Sequence, residues 1–451
     1  MSQYFLGNAY HAPKQGEIEF LRKTLIEVDG QGNIQSLMDE NHANYQSSID
    51  TAEQEGTLTI LQAGQYLLPG LIDLHIHAPQ FPQLGKALHL PLEDWLQQCT
   101  FPLEARYQDE AFAANVYQKL VSTLLANGTT TGLYFATLHL EASTILAKTC
   151  LELGQRAFVG KLNMDNKAEC PEFYCEENAE VSLETTIEFI NRVKTMLGND
   201  HQLVQPVITP RFIPSCSDQV LEGLGEIAEQ TDCHIQTHCS ESDWEHNYVI
   251  DRHGKTDSHS LNDFGLLTRH TILAHSNFIS EDDCDVIQEK GAGIAHCPLS
   301  NYYFSNAVFP LRRALDRQMH VGLGTDISGG PSASIIENCR HAVHASRLRE
   351  EGTNPALEQS QRGLAGSRID FMEAFWCATR GGAIALDIPA GSFEVGHKFD
   401  AFIMDINAPN SNITAYDNYD DEMDILQKII SGAGRQNVMK TWVDGKLVYE
   451  Q

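Results

Sequence analysis

Eight short apolar runs recur between residues 70 and 328, and most are followed by a segment of helical period. They read "GLIDLHIH", "GTTTGLYFA", "RAFVGKLNMD", "LVQPVITPRF", "CHIQTHC", "TILAHS", "GAGIAHCP" and "HVGLGTDIS". Such runs are too short for core helices, and their near-continuous apolarity is that of strands buried on both faces. Between them, "DEAFAANVYQKLVSTLLANG" and "SDQVLEGLGEIAEQT" carry helical spacing and stop at glycine or polar residues. Eight βα units imply a closed parallel barrel, whose functional residues stand at the C-terminal ends of the strands.

The two ends of the chain have a different character. Residues 1 to about 65 read as short strands and turns, with a hairpin in "KTLIEVDGQGNIQSL" around Asp29-Gly30. "FDAFIMDIN" and "VMKTWVDGKLVYEQ" look alike, with Asp444-Gly445 at a turn. The expected fold is therefore α/β: a (β/α)8 TIM-like barrel over residues 66–386, and a small β-sandwich domain assembled from residues 1–65 and 387–451.

Charge and cysteine usage narrow the function classes. A formal net charge of -30 repels phosphate backbones and anionic lipid, so neither nucleic acid nor a membrane surface is expected as partner. No apolar run approaches the roughly 18 residues of a membrane span. The opening "MSQYFLGNAYHAPKQGEIEF" lacks the basic and apolar regions of a secretory signal. Eleven scattered cysteines suit reduced, buried thiols in a cytoplasmic protein better than a disulfide framework. The P-C-x-x-C spacing of nucleic-acid deaminases is absent, and "CPEFYC" reads as a loop.

The strand ends carry the chemistry. His75 and His77 alternate along one strand and so share a face, amid Leu71, Ile72, Leu74 and Ile76. Alone, the pair is either two hydrogen-bonded histidines or half of a metal site. His238, His275 and Asp326 end the fifth, sixth and eighth strands, and five such side chains on one barrel mouth make a set suited to zinc or iron(II). His296 ends the seventh strand, either supporting a ligand from behind or as a histidine at the core's edge. Glu241, three residues after His238, is either a proton shuttle beside a metal-activated water or an acid at a helix start. The fourth strand ends in "TPRF", with Arg211 and no lysine to bridge two ions, so one metal is expected.

The order H-x-H, His, His, Asp on eight βα units resembles the amidohydrolase superfamily in its single-metal deaminase branch. Longer stretches are similar to the guanine deaminase family: "PGLIDLHIHAPQFP", "LPLEDWLQQCTFPLE", "TPRF", "HIQTHCSE", "AHCPLSN" and "GLGTDISGG", with "ATRGGAIAL" and "GHKFDAFIMD" beyond them. The resemblance implies one ion, zinc or else iron(II), on His75, His77, His238 and Asp326. It implies guanine as the small-molecule substrate, held by Gln80, Arg211 and Phe212, with His77, His238, Glu241 and Asp326 also around it. Glu241, Asp326 and His275 are implied as the acid-base and oxyanion-stabilising groups that give xanthine and ammonia in purine catabolism. A homodimer is implied as well. Taken singly, Gln80 reads as a loop glutamine, Arg211 as a surface salt bridge and Phe212 as a core aromatic. Two other readings stay open: action on another aminated or chlorinated heterocycle, and a non-catalytic scaffold of the same fold.

Overall fold

The computed structural model describes residues 2–304 and 307–451. The chain begins with two long strands, β1 (Gln3–Lys14) and β2 (Glu17–Val28), each of 12 residues and paired antiparallel. Strand β3 (Ile34–Met38) then pairs antiparallel with β2. The turn between β2 and β3 is held by Asp29, whose carboxylate accepts the N–H groups of Gln31 and Asn33, each at 2.8 Å. A helix, Tyr45–Glu55, follows, and then β4 (Leu58–Ile60) and β5 (Gln65–Pro69). Two of the expected N-terminal strands are thus long rather than short, and the segment also holds one helix that the sequence reading left out.

The barrel starts after Gly70. Its strands are β6 (Leu71–His77), β7 (Thr129–Phe135), β8 (Arg156–Asn163), β9 (Val204–Pro210), β10 (His234–Cys239), β11 (Thr271–His275), β12 (Gly293–His296) and β13 (His320–Leu323). They are the eight runs picked out from the sequence, each paired parallel with the next. The ring closes through the segment after β13, where Asp326 N–H donates to His75 O at 2.8 Å and His77 N–H to Ile327 O at 2.9 Å. Helices alternate with the strands as read, among them Glu110–Leu125, capped by Asp109, and Asp218–Thr231, capped by Ser217.

Side chains fill the barrel instead of leaving a pore. Ile72, Leu74, Leu133, Phe158, Val207 and Ile272 form its buried centre, and Ala383, Ala385 and Leu386 from the helical run after Cys377 pack against it. Gly322 belongs to this contact: a Cβ there would lie 2.5 Å from Leu74 and 2.9 Å from the Gly382 backbone. No larger residue fits without moving one of them.

The C-terminal segment adds β14 (Ala401–Asp405), β15 (Val438–Val443) and β16 (Lys446–Glu450), and a helix, Glu422–Gly432. The small sheet runs β16-β15-β14-β5-β1-β2-β3, with β4 beside β1. Asp444 and Gly445, at φ 48 and 69, make the tight β15–β16 turn, whose left-handed residues match hairpin twist. Phe5 on β1 and Trp442 on β15 are three strand spacings apart, about 14 Å along a flat sheet. Their rings nevertheless lie 5.3 Å apart, with Phe399 stacked on Phe5. The sheet therefore curls around its own apolar core, as the layers of a sandwich do. Because β5 pairs with both β1 and β14, this sheet runs through Pro69, beyond the 65/66 boundary read from the sequence. Arg156 at the base of β8 bonds Asp400 at 3.1 Å and Asp444 at 2.6 Å, fastening the small sheet to the barrel.

Candidate metal centre and substrate pocket

Strand alternation brings His75 and His77 to one face of β6, and their rings meet edge to face at 4.8 Å. His77 Nε2 stands 3.1 Å from His238 Nε2, while Asp326 Oδ1 is 3.2 Å from His75 Nε2 and 3.5 Å from His77 Nε2. Atoms bound about 2.1 Å from one tetrahedral ion lie about 3.4 Å apart, so these spacings match a single-ion site. Both ring nitrogens of His75 are buried without a hydrogen-bond partner. Such orphaned polar atoms are costly unless something binds them. Burial, foremost, pushes the pKa values of His75, His77 and His238 well below the usual histidine range, which keeps their lone pairs free. His238 Nδ1–H donates to Arg211 O at 2.5 Å, which turns Nε2 to the site. The donor set fits a divalent ion.

Glu241 and His275 stand beside these ligands. His275 Nε2 is 3.7 Å from Glu241 Oε1 and 4.0 Å from Asp326 Oδ2. Burial, and next the Asp326 charge, push the Glu241 pKa up to about 8, against the Arg211 charge, a direction that favours its carboxylic acid form. Burial likewise raises that of Asp326. His275 Nδ1–H donates to Asn301 Oδ1 at 3.0 Å, so a neutral His275 presents a lone pair, not a proton, at Nε2. His275 and Asp326 have φ of 68 and 50, a left-handed backbone that costs non-glycine residues about 1–3 kcal/mol each. Ring closure and buried hydrogen bonds hold them there. His296 is buried against Phe309, with ring centroids 5.3 Å apart, and is absent from the ligand groups among the described residues.

One pocket is lined jointly by His77, His238, Glu241 and Asp326 and by Gln80, Arg211 and Phe212. Trp95 and Phe304, with rings 5.0 Å apart, wall it further. All the residues singled out in the sequence as substrate contacts thus face one space. Arg211 is not a surface residue: it is 3% exposed and paired with Glu104.

Residues 66–448 match the model of the amidohydrolase family. The chain belongs to that family. It is 36% identical over 459 residues to a guanine deaminase of Dictyostelium discoideum, covering 98% of this chain and 97% of that one. With a human guanine deaminase it shares 35% identity over 455 residues, covering 99% and 97%. The crystal structure of guanine deaminase from C. acetobutylicum, which has guanine bound in its active site, superposes with a TM-score of 0.87 at 29% identity, each chain covered in full.

The surroundings of this amidohydrolase's pocket and histidine cluster also include residues to which the sequence reading gave no role. Glu104, Trp95 and Asn301 lie inside quoted stretches, "LPLEDWLQQCTFPLE" and "AHCPLSN", but nothing local marks them as part of a site. Asp73 was legible only as one more residue on the histidine face of β6. The cysteines are as expected: all are free, and nine of the eleven are buried. No helix among the described residues is long and apolar enough to cross a membrane.

Proposed function

We propose that this amidohydrolase hydrolyses guanine to xanthine and ammonia. The observation that carries the reading is the shared pocket, where hydrogen-bond donors suited to a purine carbonyl edge face the same space as the histidine-carboxylate centre. The guanine deaminases it resembles, one of them with guanine bound, support it further. Gln80 and Arg211 would hold the ring by its carbonyl edge, and Phe212 would offer a face to its plane.

A divalent ion on His75, His77, His238 and Asp326 would make a water nucleophilic at neutral pH. Asp326 orients that water and takes its proton. Glu241, whose burial favours the acid form, donates to the ring nitrogen next to C2, which makes that carbon electrophilic. The C2–O bond forms as the ring takes up the electron pair. Asp326 hands the proton it has taken to His275 Nε2, which carries no hydrogen of its own while Nδ1–H is committed to Asn301, and His275 then donates a hydrogen bond to the new oxygen. Glu241, having given its own proton to the ring, takes the proton left on the new hydroxyl and passes it to the amino nitrogen; the C2–N bond breaks, ammonia leaves, and the proton on His275 returns to Glu241.

We read the ion as zinc, one per chain, with iron(II) the alternative, from the imidazole and carboxylate donors. The free cysteines support a cytoplasmic location, the proposed reaction places the enzyme in purine catabolism, and the homodimer rests on family resemblance.

The deciding experiment incubates wild type and Arg211→Lys with guanine, adenine, cytosine and guanosine, following ammonia and the purine product. Adenine presents an amino group where guanine has its carbonyl, which would leave buried donors unpaired. Such a site discriminates by about 10⁴–10⁵. Wild type should act on guanine alone, and Arg211→Lys should lose much of that turnover with the planar fork. Equal turnover of adenine or guanosine overturns the reading.

A further inference from the structure

We infer that Glu104 is a positioning residue that sets which ring edge the pocket accepts, by fixing Arg211 and Gln80 as a pair of hydrogen-bond donors. Glu104 is fully buried on the short helix Phe101–Ala105 and does not line the pocket; both of its partners do. Its Oε1 accepts from Gln80 Nε2 at 2.9 Å and from Arg211 Nη2 at 3.2 Å, and its Oε2 accepts from Arg211 Nη1 at 2.7 Å. Two nitrogens from β9's end and β6's end therefore converge on one carboxylate oxygen.

This arrangement leaves little freedom. The Gln80 amide is fixed at its other end as well, because Oε1 accepts Ser328 N–H at 3.1 Å. The guanidinium lies 5.1 Å from the Phe101 ring, three residues before Glu104 on the same short helix, and Nη1 also meets Met164 Sδ at 3.7 Å. Each of Gln80 Nε2 and Arg211 Nη2 carries a second N–H that Glu104 does not use. Two donors side by side suit a ring carbonyl, whose oxygen has two lone pairs. An amino group there sets N–H against N–H, and a bare C–H leaves both donors unpaired.

Without the carboxylate, the Gln80 amide loses the acceptor that orients it, and Arg211 becomes an uncompensated buried charge. Glu104 thus acts on selection through its partners and touches no reacting atom. The inference rests on the proposed purine reading of the pocket, and its test is separable from that reading.

The test uses metal-loaded enzyme and two ligands without the amino group at C2: hypoxanthine, which has the ring carbonyl, and unsubstituted purine, which lacks it. Binding is followed by calorimetry, with metal content measured alongside. Wild type should bind hypoxanthine about tenfold or more tighter than purine. Glu104→Gln should bring the two within about threefold of each other at unchanged metal content. Glu104→Asp keeps the charge on a shorter arm and should lose part of the preference; it decides the matter if the glutamine variant does not fold. No preference in wild type overturns the inference. So does a folded variant whose ratio stays within about twofold of wild type. A wild type that binds with this preference, loses it on substitution and yet leaves guanine unreacted overturns the guanine reading and upholds the role of Glu104.

Discussion

Asp73 on β6 accepts both the backbone N–H of Thr325, at 2.9 Å, and its hydroxyl, at 2.5 Å, tying the first barrel strand to the turn after the last. The same carboxylate accepts His75 N–H at 3.3 Å. One side chain thereby spaces His75 from Asp326, the next residue after Thr325. Burial pushes the Asp73 pKa up to about 7, against the three hydrogen bonds that lower it. Asp73→Ala leaves buried donors unpaired and should cost about 1–3 kcal/mol or more. Its affinity for metal should fall as well. Urea unfolding and metal titration check this; a variant with wild-type stability and metal affinity would break the link.

Glu241→Gln keeps the shape of the side chain but removes the proton. Turnover should fall by about 10²–10⁴, the usual share of a positioned acid-base group, with metal content and ligand binding kept. Loss of the ion in a folded variant would make Glu241 a ligand instead. Near-normal turnover would reduce it to an acid at the start of its helix.

The barrel and its candidate ligands were legible because each strand is a separate apolar run, with the histidines at strand ends and Asp326 three residues beyond one. The small sheet was less so. "QYLLP" runs straight into "GLIDLHIH", with only Gly70 between β5 and β6, so one apolar stretch hid two strands of different sheets. In the helix Tyr45–Glu55 only Ala52 is buried, which leaves no periodic stripe to read. The helix Glu422–Gly432 buries Ile425, Leu426, Ile429 and Ile430 at helical spacing, a signal that was present but overshadowed by the strands around it. Glu104 was illegible for another reason: its partners lie 24 and 107 residues away, and no local pattern encodes such a triad.

His234 at the start of β10 supplies a pH dependence away from the metal centre. It is buried, donates to Leu386 O at 3.0 Å, and stacks on His270 at 4.9 Å. Burial foremost, then the His270 and Arg269 charges, hold its pKa down at about 4, with the Leu386 hydrogen bond and, more weakly, Asp387 opposing. Below about pH 6.5 the unfolded chain takes up a proton that the folded one refuses. Stability therefore falls as pH drops from about 6.5 to about 4, by up to about 3 kcal/mol from this residue, and its share is flat below. Urea midpoints between about pH 7.5 and 4.5 should show a shallower decline in His234→Gln. An identical slope would leave the acid sensitivity to other groups.

Two buried histidines at the barrel mouth offer the sharpest test of the metal centre, because both have ring nitrogens without partners. His75 and His296 each leave Nδ1 and Nε2 unpaired, yet only His75 groups with other ligand atoms among the described residues. Burial alone therefore does not make a ligand; convergence does. His75→Ala should lose the ion and the turnover together, with barrel secondary structure retained. His296→Gln should keep one ion per chain and most of the activity. Chelation of wild type should abolish turnover and lower the melting temperature, since an ion at about 1,000 times its Kd contributes about 4 kcal/mol to the folded state. Metal analysis should then return one ion per chain on reloading. Two tightly held ions, or full turnover after exhaustive chelation, would overturn the single-ion centre. Loss of the ion from His296→Gln would mean that the site extends onto the seventh strand.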